Sequence, residues 1–373
     1  MRHLKPLDGV RAIAVLMVML FHFGYFAAGW VGVQVFFTLS GYLITRILLR
    51  ARVNRFTAYA ANFYWHRALR ILPLLYAFVI ASAAGYLLFG VPASFGSDWP
   101  WLVTFTANFA RMTQTDLGPC FVHIWSLAVE QQFYLVWPVL IFFLPPQAFR
   151  FLVGAILLLT PLIRFLVFQH LIQQGFDGHY AGKAAYVLPF TQFDAFAAGA
   201  AIALWNLEQM RFAGRWFLMT LAAVAAAGLG VLTSSYFDGT GAFVGSLGYS
   251  MYLLHGYEYV WGYSLLNILS MLGIVCALRG VGPMRLLEAR ILVWIGKISY
   301  GVYVYHLPLL LLGEFLMERY GIGIHGLARP AFFAAWMGTV ILVSNVSFRW
   351  LETPFLKFKN HTWMAGQTQP SRG

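Results

Sequence analysis

The sequence predicts an all-α, polytopic membrane helix bundle of about ten transmembrane helices with both termini cytoplasmic. Three observations carry that prediction. Mean hydropathy is +0.71, with 60% hydrophobic and only 10% charged residues in 373, a composition that soluble domains do not reach. The apolar residues come in runs of about 20, the length that crosses a hydrocarbon core as a helix, with little of the period-two alternation of a membrane barrel. If the N-terminus is inside, the inner segments gather eighteen Lys and Arg residues, from Arg2 to Arg372, while the outer ones hold only Arg111, Lys183, Arg319 and Arg329.

The first span is expected at 8–27. Arg2 and Lys5 ahead of it resemble the start of a signal peptide, but the stretch is long and carries Arg11 and His22, so it reads as retained. Further spans are expected at 30–49, 70–90, 121–144, 150–170, 186–206, 216–236, 259–278, 291–315 and 330–352. Residues 237–258 are apolar, yet an additional crossing there would move Arg279 to Arg290 outside; a re-entrant or interfacial segment is expected instead. Residues 1–357 form the transmembrane domain and 358–373 a short cytoplasmic tail whose Gly, Gln, Pro and Ser content predicts disorder. The remaining polar stretches are the outer loop 91–120 and the inner segment 50–69.

Several function classes drop out. Cys120 and Cys276 make neither a disulfide framework nor a metal-ligand spacing, so no metal is expected. The net charge of +12 lies between hydrophobic runs rather than along one polar face, which argues for topology and a lipid bilayer, not nucleic acid.

Ionisable residues inside the spans are costly in hydrocarbon and mark cavities or partners. His22 stands about 12 residues from the inner end of the first span, roughly 18 Å up, and Glu130 about 9 residues from the outer end of the fourth, roughly 13 Å down. Asp194 and Arg164 fall at similar depth, so the four are expected near one plane, with His306, and His255 with Glu258, slightly further out. At the inner face, Arg11 follows Asp8 by one turn, and Arg67 and Arg70 stand at the mouth of the third span. Three apart on a helix, Arg67 and Arg70 present two guanidinium forks suited to phosphate; arginines at inner helix ends are also what topology alone predicts. Asp8 reads as an N-cap. His22 reads as a general base, a proton relay or a hydrogen-bonded core histidine, and a proton-coupled transporter would use the same parts. The tryptophans Trp99, Trp101, Trp125 and Trp137 read as interface belt and packing, with sugar stacking as a secondary reading.

The opening Leu7-Asp8-Gly9-Val10-Arg11-Ala12, with His22 eleven residues after the arginine, resembles the first-helix signature of the acyltransferase family 3 membrane enzymes. The resemblance continues through Gly32 to Ile44, Arg67-x-x-Arg70 with Ile71-Leu72-Pro73, His123 to Tyr134, Ile298 to Tyr303 with His306, and Glu352-Thr353-Pro354. It implies transfer of an acyl group, usually acetyl, from cytoplasmic acyl-coenzyme A (acyl-CoA, acetyl-CoA by default) to a hydroxyl of a carbohydrate acceptor at the outer face of a bacterial inner membrane. Surface polysaccharides and nodulation oligosaccharides are typical acceptors; a lipid, macrolide or peptide acceptor is the alternative. Carried over by position, the resemblance implies His22 as catalytic histidine with Arg11 as companion, Glu130 as an essential carboxylate, and Arg67 and Arg70, with Arg11, as the coenzyme site. Asp194, Arg164, His306 and Trp125 are expected on the acceptor side. His22 either deprotonates the acceptor or relays the acyl group, and Glu130 or Asp194 orients its imidazole or binds sugar hydroxyls. Where many relatives carry arginine two residues before the aspartate, Gln192 stands here, so Asp194 is expected to pair with Arg164. The secreted esterase-like domain that some relatives append is not expected, which implies delivery directly to the acceptor or to a separate protein.

Overall fold

The computed structural model describes residues 4–51, 55–113, 116–239 and 244–358; the tail expected to be disordered falls outside them from residue 359 on. The helices in chain order are α1 (Lys5–His22), α2 (Val31–Arg50), α3 (Phe56–Phe89), α4 (Phe95–Val103), α5 (Ala107–Ala110), α6 (Trp125–Phe143) and α7 (Pro146–Gln173). They continue as α8 (Gly178–Val187), α9 (Phe193–Leu204), α10 (Ala213–Phe237), α11 (Glu258–Arg279), α12 (Arg290–Arg319), α13 (Ala328–Ser347) and α14 (Thr353–Lys357). No strand occurs among the described residues. Among the described residues, eight helices are long and apolar enough to cross a membrane. With α1, which carries Lys5, Asp8 and Arg11, and the short apolar α9, every expected span position is occupied by a helix.

Boundaries differ from expectation where the chain chemistry is local. The third span is a 34-residue helix that begins inside the segment read as polar, because Phe56, Tyr59 and Phe63 face inward and Phe56 and Tyr59 pack against Phe142. Arg67 and Arg70 therefore lie within a helix rather than at its mouth. The sixth span is broken: α8 ends before Pro189, whose ring disfavours a helical residue ahead of it and which Leu188 precedes in extended conformation, and α9 has only 12 residues. Asp8 is not an N-cap. With Pro6 in its first turn, α1 starts at Lys5, which places Asp8 inside the helix, where its Oδ1 accepts from Arg11 Nη1 at 2.7 Å. The described part of the awkward segment, residues 244–257, contains a single 3-10 turn and no spanning helix; Trp30 Nε1 donates to Tyr249 O at 3.1 Å and holds it against the bundle.

Two close helix pairs organise the interior, α1 with α12 and α2 with α9. Glycine permits both. A Cβ on Gly199 would sit 1.8 Å from Thr38 O, and one on Gly296 would sit 1.9 Å from Asp8 O. Between lipid-soluble helices, where burial of apolar surface gives no preference, such backbone approach is what van der Waals packing needs. The outer loop is likewise packed: α4 buries Phe95, Asp98 and Leu102, and Asp98 Oδ2 accepts from Gly118 N at 3.0 Å.

Candidate active site

Two cavities lie on either side of one wall. The inner one, so named from the expected topology, has a volume of about 850 Å³ and is lined by Arg11 of α1, Ser40 of α2, Arg67 and Arg70 of α3, Glu130 and Tyr134 of α6, and Tyr300 of α12. Glu130 accepts hydrogen bonds from Ser40 Oγ and Tyr134 OH, and the Arg67 guanidinium lies over the Phe63 and Tyr134 rings at 5.7 and 5.2 Å. Among the described residues, neither Arg67 nor Arg70 has a carboxylate within 4.0 Å, and Arg11 has only Asp8. Three guanidinium groups face a cavity with one carboxylate, itself held by hydroxyls, so the chamber suits a polyanion such as a phosphorylated coenzyme.

The outer cavity, of about 400 Å³, is lined by His22, Trp30, Arg111, His123, Trp125 and Tyr186 among others. Trp125 thus lines the same cavity as His22. Arg111 sits on its rim in an exposed-side network: Nη1 lies 3.1 Å from Asp116, Nη2 donates to Tyr252 OH at 3.2 Å, and Lys183 shares Asp116 at 3.2 Å. Outside the spans, burial and the Arg111 guanidinium pull the Tyr252 phenol in opposite directions, and burial prevails, raising it.

His22 is oriented by histidine rather than by a carboxylate. His306 Nδ1 lies 2.6 Å from Tyr303 O, an acceptor only, so the network assigns the proton to Nδ1 and leaves Nε2 as an acceptor. His306 Nε2 is 3.2 Å from His22 Nδ1, which also faces Val18 O at 3.1 Å. His22 therefore carries its proton on Nδ1, shared between those two acceptors, and its Nε2 lone pair has no hydrogen-bond donor on it among the described residues. His123 stands behind the pair, its ring 5.0 Å from that of His306 and its Nε2 3.1 Å from Val304 O.

The geometry separates residues that depth alone placed together. His22, Glu130, Asp194 and Arg164 do not meet: depth along a helix fixes a level but not a direction, and these side chains point into different parts of the bundle. Glu130 belongs to the arginine chamber and does not touch His22. Arg11, eleven residues and about 16 Å along α1 from His22, also belongs there. Asp194 and Arg164 are 1% and 0% exposed and form a closed structural cluster rather than an acceptor surface. Arg164 donates to Asp194, to Thr191 O at 2.9 Å, to Val260 O at 2.8 Å and to Ser264 Oγ at 3.2 Å, tying α7 to α9 and α11. The expected Asp194 to Arg164 pairing is present, while Gln192 instead accepts from Gln34 Nε2 at 2.9 Å. His306, expected near the acceptor, is fully buried behind His22 and acts on it. The sequence assigns no role to His123, Ser126, Tyr303 or Arg111; the first three come from two separate helical regions, which no spacing along the chain connects.

A family model described as an acyltransferase domain matches residues 5–348. The chain belongs to acyltransferase family 3. Among similar members, the peptidoglycan O-acetyltransferase OatA of Listeria monocytogenes is 26% identical over 387 residues, covering 95% of this chain and 56% of that protein. The O-acetyltransferase OatA of Staphylococcus aureus is 25% identical over 378 residues, covering 95% of this chain and 58% of that protein. The chain thus spans a little over half the length of these family 3 relatives. No solved structure matches it.

Proposed function

We propose that this acyltransferase is a multi-pass O-acetyltransferase of a bacterial inner membrane, taking acetyl from cytoplasmic acetyl-CoA and passing it to a carbohydrate hydroxyl on the outer side. The observation that carries the reading is the pair of chambers separated by one wall: the Arg67 and Arg70 guanidinium groups, without a carboxylate within 4.0 Å among the described residues, on one side and His22 on the other. The Listeria relative's name, a peptidoglycan O-acetyltransferase, supports a carbohydrate acceptor. Positive-inside topology supports a cytoplasmic mouth for the arginine chamber.

In this reading Arg67, Arg70 and Arg11 hold the coenzyme phosphates while the pantetheine arm reaches toward the outer chamber. Tyr134 joins Glu130 to Arg67, so Glu130 acts as a positioning residue for donor binding. In the outer chamber His22 Nε2 takes the proton of the acceptor hydroxyl as its oxygen bonds to the thioester carbonyl carbon. The carbon–sulfur bond then breaks with its electron pair on sulfur, and His22 returns the proton to the thiolate. His306, accepting from Nδ1–H, keeps the imidazole in the tautomer this requires. Trp125 offers a ring face to the sugar.

The test is thiol release from acetyl-CoA by protein in lipid discs, with and without a crude glycan extract. Release by wild type that falls about 10²- to 10⁴-fold in His22→Ala is expected. Absence of release with every acyl-CoA and glycan tried would remove the donor assignment. A labelled acyl-enzyme trapped with donor alone would replace direct transfer by a histidine relay.

A further inference from the structure

The wall between the chambers is made of few residues. Val33 and Tyr303 line both cavities, and Ser126 lines the inner one. A thioester held by the inner arginines and attacked from the His22 side must place its carbonyl at this wall. Two hydroxyls meet there. Tyr303 OH and Ser126 Oγ lie 2.5 Å apart, and both point at one backbone oxygen, His123 O, at 3.0 and 3.2 Å respectively.

Two hydroxyl protons serve these three contacts, so one contact always lacks a proton. When Ser126 donates to His123 O, that buried carbonyl stays satisfied wherever Tyr303 sends its own proton. Tyr303 can therefore turn from Ser126 to a new acceptor without leaving a buried backbone group unpaired. The two side chains are 5–6% exposed, a setting with little water to compete for such a bond. The same turn of α12 carries His306, whose Nδ1 bonds Tyr303 O and whose Nε2 holds His22. Hydroxyl and imidazole are thus fixed relative to each other from opposite sides of the wall.

We propose that the Tyr303–Ser126 hydroxyl pair is the subsite for the acyl carbonyl, with Tyr303 donating its hydrogen bond to the thioester oxygen of a short-chain acyl donor. The proposal rests on the donor reading above. As the acceptor oxygen bonds to the carbonyl carbon, the π electron pair moves onto the carbonyl oxygen, against the Tyr303 proton. When the carbon–sulfur bond breaks, the carbonyl re-forms, sulfur leaves with the bonding pair and is protonated by His22, and Tyr303 keeps its proton throughout. Donors placed where charge develops act on the transition state more than on binding.

The experiment compares wild type, Tyr303→Phe and Ser126→Ala in lipid discs, by steady-state thiol release and by the infrared carbonyl stretch of bound acetyl-CoA labelled with ¹³C at the carbonyl. Tyr303→Phe is expected to lower kcat by about 10²- to 10³-fold with KM for acetyl-CoA little changed. Ser126→Ala, which leaves the Tyr303 proton in place, is expected to lose less. Bound acetyl-CoA should show a carbonyl frequency below that of the free thioester in wild type, and the free value in Tyr303→Phe. A Tyr303→Phe enzyme that turns over at the wild-type rate, that raises KM alone, or that keeps the shifted frequency overturns the subsite while leaving the donor reading intact. A wild type that neither binds nor consumes acetyl-CoA removes the donor reading, and the subsite with it.

Discussion

The bundle holds two kinds of arginine, Arg164 fully buried and Arg67 and Arg70 half-buried, and they behave oppositely. Arg164 has a partner for each side of its guanidinium: Asp194, two backbone carbonyls, a serine hydroxyl and the Tyr263 ring at 5.1 Å. Arg67 has aromatic neighbours, but among the described residues neither it nor Arg70 has a carboxylate within 4.0 Å, and both face a cavity. Both arrangements place cations where hydration is poor, yet only the first satisfies them internally. A fully partnered intramembrane charge is a fastening between helices, whereas one left facing a cavity waits for an anion from outside the chain.

Breaking the fastening should have the largest effect. Arg164→Met strands the Asp194 carboxylate, and loss of one partner of a buried pair costs about 3–5 kcal/mol. Thermal unfolding of purified protein should show a lowered Tm, while donor KM in the folded fraction stays near wild type. Replacing Asp194 as well, by Leu, should restore much of the Tm; a double variant as unstable as the single one would mean that the backbone hydrogen bonds of Arg164, not the ion pair, do the fastening.

Next in size is the helix contact that carries Asp194. Gly199→Ala would put a methyl 1.8 Å from Thr38 O, and overpacking of this kind costs about 1–3 kcal/mol. Its Tm should fall with no change in donor KM, which sharpens the same separation of structure from binding. An unchanged Tm would show that α9 can move away from α2 freely.

The smallest effect concerns the outer face. Burial, and then the nearby Asp98 carboxylate, push the Cys120 thiol above its ordinary value. An impermeant maleimide added from outside should therefore label Cys120 slowly at neutral pH, faster as pH rises, and a few-fold faster in Asp98→Asn, where the raising charge is gone. Cys276, buried near the inner end of α11, should not react from outside. Labelling of Cys276 but not Cys120 would invert the topology.

Much of this fold is legible in the sequence, because a membrane demands long apolar runs and each expected span coincides with a helix. What escapes is local or angular. Pro189 breaks the sixth span, and Phe56 to Phe63 extend the third into a stretch that looked polar by charge alone. Asp8 looked like a cap because acidic residues favour helix starts, but Pro6 had already begun the helix. Within the candidate site, residue types and depths are readable while azimuth is not. His22 and Glu130, expected at similar depth, line separate chambers, and the residue hydrogen-bonded to the imidazole is His306, from a helix more than 280 positions along the chain, rather than either expected carboxylate. The hydroxyl pair Tyr303 and Ser126 has no sequence signal beyond membership of matching motifs, since its meaning lies in the one carbonyl they share.

The most direct measurement is coenzyme A binding, by titration calorimetry in lipid discs, to wild type and to the double variant Arg67→Ala, Arg70→Ala, with Tm recorded for both. Each charge-assisted hydrogen-bonding partner contributes about 1.5–3 kcal/mol, so affinity should fall by at least about 10-fold per arginine while Tm stays unchanged. Equal affinity in the two proteins, or a Tm loss as large as that of Arg164→Met, would contradict the division of these arginines into a binding pair and a fastening.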